Sequence, residues 1–230
     1  MQEYIFNSNS SGKTLRVIHL CLILLIIGLL SSCNKEEFAT KEYPRLNTLK
    51  VTGINESGAV FNAEVISGDL TEIKKYGFLW SFYNDPIFAY ADTAIASGKI
   101  ENGLFSEQIS NSLLKDRTYY VRSFAVTDNL IIYGTTLSFK SLGCKAPIIT
   151  DFYPRQVQNE TLDTITIMGD NFSSLRENIA VYLDGQKVNV IESERTKLRF
   201  TIPPNNLTGK VKIRVIVATL ETESSDFLEL

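Results

Sequence analysis

Ala59-Val60-Phe61-Asn62-Ala63-Glu64-Val65 sets Ala59, Phe61, Ala63 and Val65 on one face and the polar Asn62 and Glu64 on the other. That period of two is what a half-buried β-strand requires. The same kind of run recurs at Thr48-Leu49-Lys50-Val51, Tyr76-Gly77-Phe78-Leu79-Trp80-Ser81, Phe105-Ser106-Glu107-Gln108-Ile109, Tyr119 to Val126 and Tyr133 to Phe139, with Gly, Asn and Asp between the runs. Short strands rich in Val, Ile, Tyr, Phe and Thr, cut by turn residues and without an amphipathic helix, predict an all-β chain whose first block is a two-sheet sandwich.

A second block opens at Pro147-Ile148-Ile149-Thr150-Asp151-Phe152-Tyr153-Pro154 and continues with Asp163-Thr164-Ile165-Thr166-Ile167-Met168-Gly169-Asp170-Asn171-Phe172. Val181-Tyr182-Leu183-Asp184-Gly185, Leu198-Arg199-Phe200-Thr201-Ile202-Pro203-Pro204 and Gly209-Lys210-Val211-Lys212-Ile213-Arg214-Val215 follow in order, and Phe227-Leu228-Glu229-Leu230 reads as a last strand. Asp184-Gly185 suits the positive φ values of a tight hairpin, and the prolines end a strand that must not continue.

These spaced elements, P-x-I…P, I-x-G-x-N-F, V-x-L-D-G and I-P-P, resemble an IPT/TIG domain over residues 146–230. The resemblance implies a second immunoglobulin-like sandwich. In the first block, Leu113-Leu114-Lys115-Asp116-Arg117-Thr118-Tyr119-Tyr120-Val121-Arg122-Ser123-Phe124-Ala125 and Tyr133-Gly134-Thr135-Thr136-Leu137-Ser138-Phe139 are similar to the last two strands of fibronectin type III-like domains in Bacteroidota lipoproteins. Tyr76 to Ser81 with Asn84-Asp85-Pro86 matches the middle strand and turn of the same group, so the likeness spans residues 45–142, although Lys115 stands where proline is usual. It implies a corner tyrosine with a buried ring and a backbone-bonded hydroxyl, Tyr119 or alternatively Tyr120. Ser141 to Ala146 would be a short linker that limits bending between the two sandwiches.

Toward the N-terminus, Val17 to Leu30 is an uncharged run of 14 residues preceded by Lys13 and Arg16. It has the length of a secretory h-region and falls short of a membrane span. Leu30-Ser31-Ser32-Cys33 closes it and resembles a bacterial lipobox. That implies a signal peptide over residues 1–32, cleavage before Cys33 and acylation there with chains such as palmitate, an effectively permanent membrane anchor. Lys35, Glu36 and Glu37 resemble the export signal that sends Bacteroidota lipoproteins to the outer leaflet. The expected address is the cell surface at the outer membrane, an inward-facing lipoprotein being the other possibility. Residues 33–44 would form a flexible tether.

Cleavage leaves 198 of the 230 residues, enough for two domains of about 100 residues. Of 23 Lys and Arg, Lys13 and Arg16 depart with the signal, and of 26 Asp and Glu, Glu3 departs, leaving 21 basic against 25 acidic side chains. No nucleic-acid footprint is visible in that balance. Cys21 leaves too, and Cys33 is spent on lipid, so Cys144 is the one thiol, read here as an incidental linker residue; no internal disulfide can form. The sole histidine, His19, is also in the signal. A chain without histidine builds no Ser-His-Asp, Cys-His or imidazole-zinc centre, and no cofactor, metal site or catalytic residue is expected.

Trp80, Phe82, Tyr83, Phe88 and Tyr90 form the one aromatic cluster with the rings that carbohydrate recognition needs. Trp80, alternating with Phe78, is expected mainly as core, while Tyr83, Phe88 and Tyr90 lie in or beside the Asn84-Asp85-Pro86 turn, where burial is harder. Asp163, Asp170 and Asn171 lack the spacing of a calcium loop and read as turn residues. Asp92-Thr93-Ala94 and Asp163-Thr164-Ile165 resemble Bacteroidota O-glycosylation acceptors. The expectation is a non-catalytic surface lipoprotein that binds polysaccharide, by its resemblance to the glycan-binding lipoproteins that serve outer-membrane importers. Its partners would be the membrane through Cys33, a glycan, and a transporter or other surface lipoproteins. The alternative is a structural or adaptor subunit whose contacts are with proteins.

Overall fold

A computed structural model describes residues 43–157, 163–202 and 208–230. The expected signal segment, Cys33, Lys35, Glu36, Glu37 and all but the last two tether positions lie outside the described residues, as do Pro203 and Pro204. Among the described residues every regular element is a strand apart from two short 3-10 turns, so the all-β reading holds.

The first seven strands are β1 (Arg45–Asn55), β2 (Gly58–Ser67), β3 (Lys75–Ser81), β4 (Asp92–Ile95), β5 (Leu104–Ile109), β6 (Thr118–Val126) and β7 (Ile131–Lys140). They form two antiparallel sheets, β1-β2-β5 and β4-β3-β6-β7. The alternation in β2 turns Ala59, Phe61 and Ala63 inward, fully buried. The Phe61 ring meets Phe78 and Trp80 edge-on at 5.8 Å and Phe139 at 5.4 Å, the offset geometry that aromatic quadrupoles favour. Side-chain bonds also tie the sheets together: Thr48 Oγ1 lies 2.9 Å from Ser123 Oγ and accepts from Ser123 N–H.

Two details depart from the sequence reading. β3 is buried on both faces, because Leu79 packs outward with Ala91 and Phe124 in a second small cluster beside the main core. Cys144 is a core residue: it packs against the first sandwich, its Sγ accepts from Leu113 N–H at 3.4 Å, and burial pushes its thiol pKa up. A thiol held neutral this way is a poor nucleophile.

The remaining strands are β8 (Ile148–Tyr153), β9 (Asp163–Asp170), β10 (Ile179–Leu183), β11 (Gln186–Glu194), β12 (Lys197–Ile202), β13 (Lys210–Val211), β14 (Ile213–Val217), β15 (Leu220–Glu223) and β16 (Leu228–Glu229). Seven of them run in the order β15-β14-β10-β11-β12-β9-β8, with β13 paired to β16. β11 passes from one layer to the other: Val188 pairs with Val181 of β10, Asn189 pairs with Thr201 of β12, and a register shift follows between Val190 and Glu192. The ribbon so folded encloses Phe152, Ile165, Ile167, Phe172, Leu198, Phe200 and Val215. Asp184 and Gly185, at φ 44° and 81°, make the expected hairpin turn between β10 and β11.

Gly169-Asp170-Asn171-Phe172 has a physical reason for each position. A Cβ on Gly169 would stand 1.9 Å from the Ile148 carbonyl oxygen and 2.6 Å from the Phe172 ring. Asp170 Oδ1 accepts from Asn171 N–H at 2.8 Å, Asn171 sits in the left-handed region at φ 60°, and Phe172 fills the core. The turn role expected for Asp170 and Asn171 is therefore what they perform.

Candidate functional site at the sandwich junction

The two sandwiches meet through polar bonds that no local sequence pattern announces. Asp92, in β4, is 2% exposed, and every donor to it comes from the second sandwich. Its Oδ1 accepts from the Ser173 hydroxyl, from Ser174 N–H at 3.0 Å and from Leu175 N–H at 3.4 Å; its Oδ2 accepts from Asn178 Nδ2 at 2.8 Å. The Ser174 hydroxyl donates to Asp92 at 3.3 Å while accepting from Thr93 N–H at 2.7 Å. Nearby, Ser110 Oγ donates to Asn171 Oδ1 at 2.7 Å, Asn111 Nδ2 donates to the Phe172 carbonyl at 2.6 Å, and Asn171 Nδ2 donates to the Ala146 carbonyl at 3.1 Å. Burial pushes the Asp92 pKa above its ordinary value against the pull of these donors. A buried carboxylate answered by hydroxyls and amides alone is a specific lock, since separating the parts strands both charge and donors.

Above Asp92 opens a cleft of about 430 Å³, whose walls include Trp80, Phe82, Tyr83, Tyr90, Glu177 and Asn178. Phe82 and Tyr83 follow β3, where the chain leaves the sheet, and stand 44% and 68% exposed. Tyr83 is braced edge-on by Tyr90 at 5.8 Å, and Tyr90 in turn donates to the Asp85 carbonyl at 2.9 Å. Phe82 lies over Tyr119 with ring centres 4.4 Å apart. Tyr119 is itself buried, with its hydroxyl accepting from Leu114 N–H at 2.9 Å, the backbone-bonded tyrosine the sequence led us to expect. Two exposed rings held by other rings, beside an amide and a carboxylate, form an amphipathic surface suited to a ligand with apolar faces and polar edges.

The predicted aromatic residues separate into three roles. Tyr83 and Tyr90 share the cleft wall. Trp80, 1% exposed, is core packing at the base of the cleft, and its indole N–H has no hydrogen-bond partner. Phe88 turns away from the cleft to cover the outer face of the sheet, its ring 4.8 Å from Phe124. Asp92, Glu177, Asn178 and Tyr119 were not foreseen as cleft residues; Asp92 and Asn178 stand 86 positions apart, and only the fold joins them. The acceptor resemblance of Asp92-Thr93-Ala94 is not a surface feature, since Asp92 is buried in the junction. Among the described residues no group of three His, Cys, Asp or Glu side chains is placed to hold a metal ion.

Residues 147–228 match the IPT/TIG domain family. The second sandwich is an IPT/TIG domain. No curated protein matches the chain. Among solved structures, the chain is similar to a protein of unknown function from Bacteroides thetaiotaomicron VPI-5482 at 20% identity and a TM-score of 0.34, over 37% of this chain and 22% of that one. It is also similar to SGBP-B from a complex xyloglucan utilization locus in Bacteroides uniformis, at 17% identity and a TM-score of 0.33, over 82% of this chain and 50% of that one. A third is the surface glycan-binding protein PbSGBP-B from Prevotella bryantii, at 15% identity and a TM-score of 0.35, over 81% and 42%. The chain thus spans half or less of the length of each. The IPT/TIG domain supplies one wall of the cleft, through Leu175, Glu177 and Asn178.

Proposed function

We propose that this chain is a non-catalytic, lipid-anchored protein of the outer-membrane surface that holds polysaccharide in the junction cleft, beside an uptake system. The observation that carries the reading is the pair of braced, exposed rings, Phe82 and Tyr83, at the mouth of a cleft edged by Asn178 and Glu177. Pyranose rings present C–H faces that stack on such aromatics and hydroxyls that bond amides and carboxylates at their edge. Asp92 is engaged by four residues of the other sandwich, an arrangement that suits a structural carboxylate better than a general acid or base. Acylation at Cys33 and the Lys35-Glu36-Glu37 signal would supply the anchor and the address, and a fibronectin type III-like first sandwich would raise the cleft from the membrane.

Isothermal titration of residues 34–230 against a panel of plant and microbial polysaccharides tests this reading. Heat of binding with at least one glycan is expected, and its loss in Tyr83→Ala would localise it. A panel that gives no heat at all would end the proposal.

A further inference from the structure

The aromatic cleft does not stop at its own rim. On one side it shares Phe82, Tyr119, Glu177 and Asn178 with an open hollow of about 260 Å³, and on the other it shares Ala89, Leu175 and Glu177 with a further hollow of about 350 Å³. The two end hollows have only Glu177 in common, so the cleft that carries Phe82 and Tyr83 is the middle of three connected spaces. Lys187 lines one end and Ser193 the other, six residues apart on β11, which sets the span of this groove at roughly 20 Å of extended strand.

Glu177 borders all three spaces. It lies in the 3-10 turn Arg176–Asn178 and is exposed. The turn is fastened on either side of it: Leu175 N–H and Asn178 Nδ2 donate to Asp92, Asn178 N–H donates to the Leu175 carbonyl at 3.0 Å, and Arg176 Nη1 donates to the Ile191 carbonyl at 3.3 Å. The other two carboxylates of the groove are committed, Asp92 to the junction and Glu192 to Lys197 and Arg199 at 2.6 and 3.0 Å. The Glu177 carboxylate has no hydrogen-bond or ion-pair partner among the described residues. A charged acceptor left open on a backbone already held in place costs a ligand little ordering to engage.

We propose that the groove binds the interior of a linear polysaccharide chain, which crosses Phe82 and Tyr83 and runs on into the hollows at both sides, with the Glu177 carboxylate accepting from hydroxyls of the sugar units on the rings; this rests on the glycan reading. Recognition of a chain end needs a wall that stops the chain beyond the aromatic platform. Here the platform sits in the middle and a hollow continues from each side of it, so a chain longer than the platform goes on making contacts. Sugar hydroxyls along such a chain are donors, and an ionised carboxylate is the stronger kind of acceptor for them.

The test is calorimetric titration of the full-length chain in detergent with xylan, galactomannan and xyloglucan alongside the wider panel. Oligosaccharides cut from whichever polymer binds, graded from disaccharide to octasaccharide, are then measured before and after borohydride reduction of the chain end. Affinity should rise about tenfold or more between disaccharide and hexasaccharide, and end reduction should leave the octasaccharide unchanged. Glu177→Gln, a change at an exposed position, should weaken octasaccharide binding about tenfold with the melting temperature unaltered. A disaccharide that binds as tightly as the octasaccharide, loss of octasaccharide binding on end reduction, or full affinity in Glu177→Gln would each overturn the chain-interior site while leaving the glycan reading intact. Absence of heat with every polymer removes both.

Discussion

Asn178 Nδ2 donates to Asp92 Oδ2 over 2.8 Å, joining the IPT/TIG domain to the first sandwich across 86 residues of chain. It is one of several donors converging on a carboxylate that has left water. The energetic worth of the arrangement lies less in the net strength of its bonds than in the cost of leaving any of the groups unanswered.

Asp92→Ala should therefore destabilise the protein by about 2–4 kcal/mol, because two hydroxyls, an amide and two backbone N–H groups lose their shared acceptor. Asn178→Ala, which removes one donor at the exposed edge, should cost about 1 kcal/mol. Urea unfolding followed by tryptophan fluorescence reads both. An Asp92→Ala midpoint equal to wild type would mean that water replaces the carboxylate without penalty.

The same residue sets a pH dependence. Burial raises the Asp92 pKa above its ordinary 3.8, outweighing the donors of Ser173, Asn178, Leu175 and Ser174, so the folded chain holds this proton more tightly than the unfolded one. The contribution is complete below about 3.8 and is lost as pH rises through the folded-state value. Stability measured from pH 4 upward should carry this falling component, and Asp92→Asn, which does not titrate, should show a flatter profile. Parallel profiles would assign the slope to other groups.

Tyr83 and Trp80 should respond in opposite ways. Tyr83→Ala removes a ring 68% exposed, and is expected to weaken glycan binding about tenfold or more with stability nearly unchanged. Trp80→Ala empties the core against Phe61 and should cost about 3–5 kcal/mol. Calorimetry of both variants separates the effects; a Tyr83→Ala protein that binds as well as wild type would move the contact surface elsewhere.

Gly169→Ala should destabilise the IPT/TIG domain by about 2 kcal/mol or more, since the new methyl meets the Ile148 carbonyl oxygen at 1.9 Å and β8 must shift away from β9. Hydrogen exchange would locate the damage in the β8–β9 pairing. Protection unchanged throughout β8 and β9 would contradict it.

Much of the fold can be read from alternation alone. The run Ala59 to Val65 lies within β2 and Tyr119 to Val126 within β6, where a buried face imposes its period on the residues, whereas Tyr76 to Ser81 lies within β3, which is buried on both faces and declares itself by its aromatic content. β4 is only four residues long, too short for a period to declare itself, and it carries the junction carboxylate. The aromatic side of the cleft was legible because Tyr83 and Tyr90 neighbour a turn, where large rings stand out. Asp92 and Asn178 were not, since each is an ordinary polar residue whose partner stands 86 positions away. Phe88 misleads for the converse reason: it too sits by the turn, yet Phe124 gives it a place to pack.

Ala218 and Leu220 flank the tip between β14 and β15, and both lean on the core of the first sandwich. A ribosome makes all seven strands of that sandwich before it makes this tip. Until those final strands arrive and close it, the earlier half carries an oily seam uncovered.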